Sequence, residues 1–301
     1  VKRAREEEER TIVPKGPTFE TMRTRIEEDY KVNGQDAKTL RYPLNRLAKQ
    51  FKGWPLARFT REVILEYQRE RRLAGAAAAT VNMDCAILRR MLHLAGVRLE
   101  IPRLRTNNAR PGFFEKEEFA RVLEALPAHL KPLMEVAYIT GWRVISELMT
   151  RQWKHVEEDL WLRLDPGEAK NDEPRRFPLI PNLKRIIHAQ RVERRRLEKE
   201  KGISIPWIFF HDDGRPIKDY DNAWRSACKV AGCPERIVHD LRRTAVRNLV
   251  RARATEGVVM RLTGHKTRAV FERYNIVSGQ DLRDAGTRLG VYLEGTLEVK
   301  A

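Results

Sequence analysis

The sequence predicts a two-domain protein, mainly α-helical, with a small antiparallel β-sheet confined to the second domain. Three observations predict it. Apolar residues recur at helical spacing through residues 18–98. An aperiodic stretch rich in Pro, Gly, Asn and Arg, "EIPRLRTNNARPGFF", follows. Beyond it only one pair of segments, "LWLRL" and "RRFPLI", reads as strands. With 301 residues the chain is long enough for two cores.

Taken in order, residues 1–17 form a charged leader that opens on "VKRAREEEER" and ends at Pro14 and Pro17. Residues 18–98 form a helical domain of roughly four pieces. In the last of these Met83, Ile87, Leu88, Met91 and Leu92 make one apolar stripe. The piece before it starts at Thr60 and ends near Gly75; Arg69, Arg71 and Arg72 in its last turns suit a helix C-terminus as well as they suit DNA. Residues 99–112 are the expected linker and 113–301 the second domain. There, two helical runs flank Pro127, and Leu160, Leu162 and Leu164 are expected on one face of a strand. "DPG" and "ND" then bend the chain back toward a partner strand, "RRFPLI". The remainder reads as mostly helical, and no repeat is visible.

Composition narrows the function. The net charge is +17 and the pI about 10.1, yet 42% of residues are hydrophobic, so this is not a disordered basic tail. A folded polycation most often meets a polyanion, nucleic acid first and a membrane surface second. No run of about 18 apolar residues and no signal peptide is present, which favours a cytoplasmic protein that does not cross a membrane. Cys85, Cys228 and Cys233 are odd in number and lack C-x-x-C spacing, against a disulfide framework or a zinc site. The absence of a Walker-type loop speaks against an ATP-driven motor.

Four stretches carry chemistry. Read as a helix, "RIVHDLRRTAVRNLVRA" gathers Leu241, Ala245, Val246, Leu249, Val250 and Ala252 in an arc of roughly 180°. Asp240, Arg243, Thr244, Arg247, Asn248 and Arg251 fill the opposite arc. Arg242 violates the pattern: it projects near the middle of the apolar arc, with His239 about 60° away. A buried guanidinium costs several kcal/mol unless paired, so either a carboxylate in the core or an anionic ligand must meet it. In "YITGWRVISELMTRQW", Thr140-Gly141 breaks a helix, Arg143 follows the corner, and Glu147 lies in the first turns of the next helix. A guanidinium there can fork onto two phosphate oxygens, or be a surface arginine. Lys170 lies in the turn between the two strands, where most lysines are merely solvated but a proton donor to a leaving oxygen could also sit.

The fourth stretch is "TGHKTRAVFERYN". His265 and Tyr274 are nine residues apart, which on an unbroken helix would place them on opposite faces. Gly264 suits a helix C-terminus and Thr267 the N-cap of the next helix, so the break lets both face one cavity. A tyrosine, with a pKa near 10, is a weak nucleophile. Two arginines around a phosphate would stabilise both the phenolate and the pentacoordinate transition state. The phosphodiester energy would be kept in a covalent protein–DNA bond, so neither ATP nor a metal is required.

As a set, "TGWRVISEL", the turn lysine, "HDLRR", "LTGHKT" and "VFERY" resemble the tyrosine recombinase, or phage integrase, family in both order and spacing. The resemblance covers most of the second domain, and the first domain looks like that family's core-binding domain. It implies that Tyr274 is the nucleophile, forming a 3′-phosphotyrosyl link and releasing a 5′-hydroxyl. It implies that Arg143 and Arg242 bind the non-bridging oxygens and that Lys170 protonates the leaving oxygen. His239 and His265 would bind the phosphate or help take the tyrosine proton, and Glu147 would brace the site. No cofactor and no metal is implied. The partners implied are double-stranded DNA held in a C-shaped clamp, a homotetramer exchanging strands at a four-way junction, and accessory DNA-bending or directionality proteins.

Two departures stand out. "RVISEL" has one residue more between arginine and "SEL" than the commonest family form, which leaves the position of Glu147 open. The leader is too short for the separate arm-site domain of many phage integrases, so such a domain is either lacking or lies upstream. The segment after Tyr274 is long enough for one more helix, expected to pack on a neighbouring subunit. Two other functions remain open: a type IB topoisomerase-like enzyme that swivels DNA, and a non-catalytic DNA-binding protein in which Tyr274 is an ordinary buried aromatic.

Overall fold

The computed structural model describes residues 16–106, 112–168, 174–272, 274 and 279–298. Most of the leader, residues 107–111 of the expected linker and the turn that holds Lys170 lie outside the described residues. The chain divides into two compact units, residues 1–108 and 109–301.

The first unit holds α1 (Phe19–Val32), α2 (Arg41–Phe51), α3 (Arg61–Leu73) and α4 (Ala78–Leu94). Thr18 and Thr60 start α1 and α3 by accepting the backbone N–H of Thr21 and Val63, the usual service of an N-cap hydroxyl. α4 packs against the other three. Its buried face runs through Val81, Cys85, Leu88 and Leu92, with Ile87 and Met91 beside them. Met83, expected in that stripe, is instead 55% exposed. Asp84 is buried on the core side, because Arg46 at 2.6 Å and the Tyr67 hydroxyl at 2.8 Å pair its carboxylate. A stripe drawn from apolar residues alone cannot anticipate a paired acid on the core face. Ile101 joins this core, and the Asn82 amide brackets the backbone of Leu104 through two hydrogen bonds of 2.9 Å. The first residues of the expected linker therefore pack on α4.

The second unit opens with α5 (Lys116–Ala125) and α6 (Lys131–Thr140), followed by strands β1 (Val156–Glu157), β2 (Trp161–Leu164) and β3 (Arg175–Pro178). The strands pair antiparallel in the order β1-β2-β3. Leu162 and Leu164 are buried, and Leu162 lies opposite Phe177 and Leu164 opposite Arg175. Leu160 is 50% exposed, off the face expected for it. Glu158 and Asp159 take positive φ to close the β1–β2 turn, so Leu160 comes before the paired strand begins. The two-residue β1 was not anticipated; "VE" is too short to show alternation.

Helices α7 (Pro181–Lys201), α8 (Asp221–Val230), α9 (His239–Arg251), α10 (Glu256–Thr263), α11 (Arg268–Glu272) and α12 (Gly279–Glu298) complete the unit. α9 packs on α6 and α10, so it runs through the middle of the unit. Much of its polar arc is also buried, and Asp240, Thr244 and Arg247 each have a partner within the unit. Asp240 Oδ2 accepts from the Ile237 N–H, Thr244 Oγ1 from Phe114 N–H, and Glu115 pairs Arg247 at 2.8 Å. Among the described residues no helix is long and apolar enough to cross a membrane.

Candidate active site

α6 stops at Gly141, whose φ of +67° is the left-handed turn that favours glycine. A Cβ there would also lie 2.9 Å from the Cβ of Ala245, so glycine lets the end of α6 touch α9. Arg242 of α9 donates from Nη1 to the Gly141 carbonyl at 2.5 Å. The next residue, Trp142, is anchored by its indole N–H to Leu262 O at 2.9 Å. Arg143 thus follows directly on two anchored residues.

Residues Val144–Leu148 form a single π-helical turn. Leu148 N–H reaches back five residues to Arg143 O at 3.1 Å, and Met149 N–H to Val144 O at 2.8 Å. A π turn takes up one residue more than an α turn, which is how the longer "RVISEL" spacing is absorbed. Glu147 consequently does reach the site. It accepts from the backbone N–H of Arg143 at 2.8 Å and from the Arg143 guanidinium at 2.5 Å. Its Oε1 also accepts from Arg175 at 2.5 Å. Burial alone would raise this carboxyl, but Arg175 and Arg143 outweigh burial and hold it below the ordinary carboxylate range.

Arg242 is 2% exposed, where the misplaced charge on the apolar arc put it. Among the described residues no carboxylate pairs with it, and its Nε and Nη2 have no hydrogen-bond partner. Burial, then the neighbouring charge of Arg143, lowers its pKa to about 10, so it remains a cation at neutral pH. Arg143 has Glu147 as its partner and Arg242 has no described carboxylate, so the excess positive charge favours an anion between them.

Gly264 ends α10 at φ +73°, and a Cβ at this position would overlap the Arg175 guanidinium. The chain then turns through His265 and the short α11, whose Phe271 is fully buried and fixes the approach of Tyr274. The Tyr274 hydroxyl lies 2.8 Å from Nε2 of His239. The rings of Tyr274 and His265 are 4.6 Å apart, and the guanidinium groups of Arg242 and Arg243 lie 5.8 and 5.5 Å from the tyrosine ring. Burial, reinforced by Arg242 and other arginines, depresses His239 to about 4 and His265 to about 3. His239 is solvent-exposed, which tempers the effect there; His265 is only 6% exposed. Both are neutral imidazoles at pH 7.

The structure therefore gathers Arg143, Glu147, His239, Arg242, His265 and Tyr274, while Lys170 lies outside the described residues. Two further side chains belong to the same locality. Arg175 shares Glu147 with Arg143, and alternation along "RRFPLI" could have found it as a charge on the inward face of β3. Tyr220 lines a recess of about 210 Å³ with Arg143, Ser146, His239 and Arg242, and no sequence pattern marks it. Burial lifts its phenol to about 12, so it stays protonated.

One acidic cluster could be read as a metal centre: His155, Asp165 and Glu168, with potential ligand atoms within 4.8 Å of each other. The hydrogen bonding opposes that reading. His155 Nδ1 accepts from the Gln152 N–H at 2.9 Å, so the proton of the neutral ring is on Nε2, the atom that faces Glu168. Arg151 already pairs with Glu168 at 2.7 Å.

The sequence and the fold are similar to those of known proteins. A sequence model of the phage integrase family matches residues 113–280. An integrase of Salmonella phage P22 is 25% identical over 183 residues, covering 56% of this chain and 44% of the relative. An integrase of Saccharopolyspora erythraea is 33% identical over 93 residues, 30% of this chain and 21% of the relative. The chain thus spans less than half the length of these curated relatives. Among solved structures, a lambda integrase (75-356) dimer bound to a core site has a TM-score of 0.66 at 17% identity, over 86% of this chain and 95% of that one. The Tn1549 transposon integrase in complex with transposon right end DNA also scores 0.66, at 15% identity over 89% and 99%. A lambda integrase tetramer bound to a Holliday junction scores 0.66 at 17% identity, over 87% and 78%. At these identities the likeness is one of fold.

Proposed function

The chain belongs to the phage integrase family, and from that membership and the geometry of its site we propose that it is a site-specific DNA recombinase acting through Tyr274. The phenolic proton passes to Nε2 of His239, which is neutral and within hydrogen-bond distance. The phenolate oxygen attacks the scissile phosphorus, the bond to the 5′ oxygen breaks, and a 3′-phosphotyrosyl link forms. Arg143 and Arg242 hold the non-bridging oxygens and offset the charge of the pentacoordinate state. Lys170 supplies the proton that leaves with the 5′ oxygen. Glu147 aligns Arg143 through its backbone and its guanidinium together. Attack by a 5′-hydroxyl of another strand reverses these steps and rejoins DNA, with the bond energy conserved and no nucleotide consumed.

The partners of this reading are double-stranded DNA, a homotetramer of the kind described for lambda integrase on a Holliday junction, and accessory DNA-bending or directionality proteins. The place of action is wherever that DNA lies, in the cytoplasm of a prokaryotic host. The observation that carries the reading is Arg242, a buried cation with two donor nitrogens that no described protein group satisfies. A DNA-binding protein without chemistry has no use for such a group beside a tyrosine–histidine pair.

The test is covalent trapping. Wild type and Tyr274→Phe are incubated with labelled DNA from the gene's genomic flank, nicked near candidate sites, and denatured in SDS after binding is verified by gel shift. A 3′-linked adduct that maps to Tyr274 and vanishes in the variant is expected. Binding by both proteins with no adduct, repeated on a randomised DNA library, would support the DNA-binding alternative instead.

A further inference from the structure

Thr263, the last residue of α10, is used by none of the steps above, yet two groups of the site, Arg175 and His265, meet on it. Its carbonyl accepts from Arg175 Nη1 at 2.7 Å. Its hydroxyl lies 2.7 Å from the carbonyl of Val259 and 2.7 Å from Nδ1 of His265. A hydroxyl has one hydrogen. A carbonyl can only accept, so that hydrogen is spent on Val259, and the contact with His265 is favourable only if Nδ1 carries the proton. The neutral ring then has its lone pair on Nε2, which is buried and has no hydrogen-bond partner among the described residues. Arg175 keeps the arrangement in place, since Glu147 holds its other nitrogen and Gly264 leaves it room.

We propose that Thr263 is a positioning residue that fixes His265 as the Nδ1–H tautomer, so that Nε2 meets the scissile phosphate as an acceptor and binds it only after taking up a proton from solvent. The proposal rests on the strand-transfer reading for its phosphate, but the tautomer itself does not. A neutral Nε2 lone pair repels a phosphate oxygen, whereas an imidazolium donates from both nitrogens. The charged and titratable groups facing His265 are Arg242 and His239 from α9, Arg143 from the π turn, Arg175 from β3, and Tyr274. Burial, reinforced by the arginines, holds the ring neutral in the free protein. An anion among them offsets the arginines' share of that bias, so phosphate favours uptake of the proton.

The experiment is ¹⁵N NMR of histidine-labelled free protein, wild type, Thr263→Val and Thr263→Ser, followed by titration with inorganic phosphate against chloride at equal ionic strength. Expected for wild type and Thr263→Ser is a protonated Nδ1 with an unprotonated Nε2, and an upward shift of the His265 titration with phosphate. Thr263→Val is expected to lose the Nδ1–H signature and most of the phosphate-dependent shift, with other histidine resonances unmoved. Observing Nε2–H in the wild type, or an unchanged tautomer in Thr263→Val, overturns the proposal. Loss of the fold in Thr263→Val leaves the wild-type tautomer as the deciding measurement. Failure of the Tyr274 adduct is read separately, because the tautomer is measured without DNA.

Discussion

Arg242 concentrates the cost and the use of the site in one side chain. Its burial without a carboxylate destabilises the free protein, and a phosphate relieves it. Arg242→Ala should therefore lower cleavage by about 10²–10³-fold or more, the loss typical of one positioned donor to a developing oxyanion. Duplex binding should stay within a few fold and the melting temperature should not fall; a large drop in melting temperature would mean that the arginine serves the fold. The two histidines give a second expectation. Folding keeps them neutral with pKa values near 4 and 3, while the unfolded chain titrates near 6.5. Between about pH 6.5 and 4 the unfolded state binds more protons, so stability must decrease as pH falls through that window. His265→Gln should flatten this decline in a series of thermal melts. An equally steep decline in the variant would assign it to other groups.

At the scale of elements, the π turn at Val144–Leu148 shows what spacing arguments can miss. Counting residues from Arg143 left Glu147 doubtful, because the count assumed ordinary α geometry; one wider turn restores the contact. Ile145 is 64% exposed on that turn. Deleting it should convert the π turn to an α turn and leave the melting temperature and DNA cleavage close to wild type. Inserting one further residue there should detach Glu147 and reduce cleavage by an order of magnitude or more. If the deletion is as harmful as the insertion, the turn is required for itself and is no accommodation of length. The same elements show how far sequence reaches. Arg242 was legible because helix periodicity is local, and His265 with Tyr274 because a helix break is, whereas Arg143 taken alone reads as a surface arginine and stood out through the family resemblance. Arg175 is visible only as a charge on the inward face of β3 and Thr263 not at all, since their roles depend on β3 meeting the end of α10, a contact between residues 88 apart in the chain. Leu160 and Met83 were misplaced for a related reason: a turn with positive φ and a paired buried acid each override local alternation.

For the molecule as a whole, the +17 charge implies a partner that releases counterions. If about 6–10 phosphates are neutralised, affinity should fall roughly 10³–10⁵-fold between 50 and 200 mM salt, and a flat salt dependence would contradict a basic DNA-binding surface. Under the proposed function, charge would account for binding to DNA but not for the joining of copies on it. α12 supplies a candidate for that. Leu282, Leu289 and Leu293 lie on one stripe at intervals of seven and four, and they are 67%, 56% and 51% exposed. Covering a fully exposed leucine is worth about 1.5–3 kcal/mol, and less for these partly covered ones, so the three would contribute to holding a neighbouring subunit without sufficing alone. Truncation before Gly279 should therefore leave duplex binding within a few fold and greatly shorten the lifetime of tetramers on a four-way junction. Leu282, Leu289 and Leu293 changed together to Ser should reproduce the effect with the helix still present. Sedimentation of junction complexes reads both, and tetramers as stable as wild type in either variant would remove α12 from the assembly.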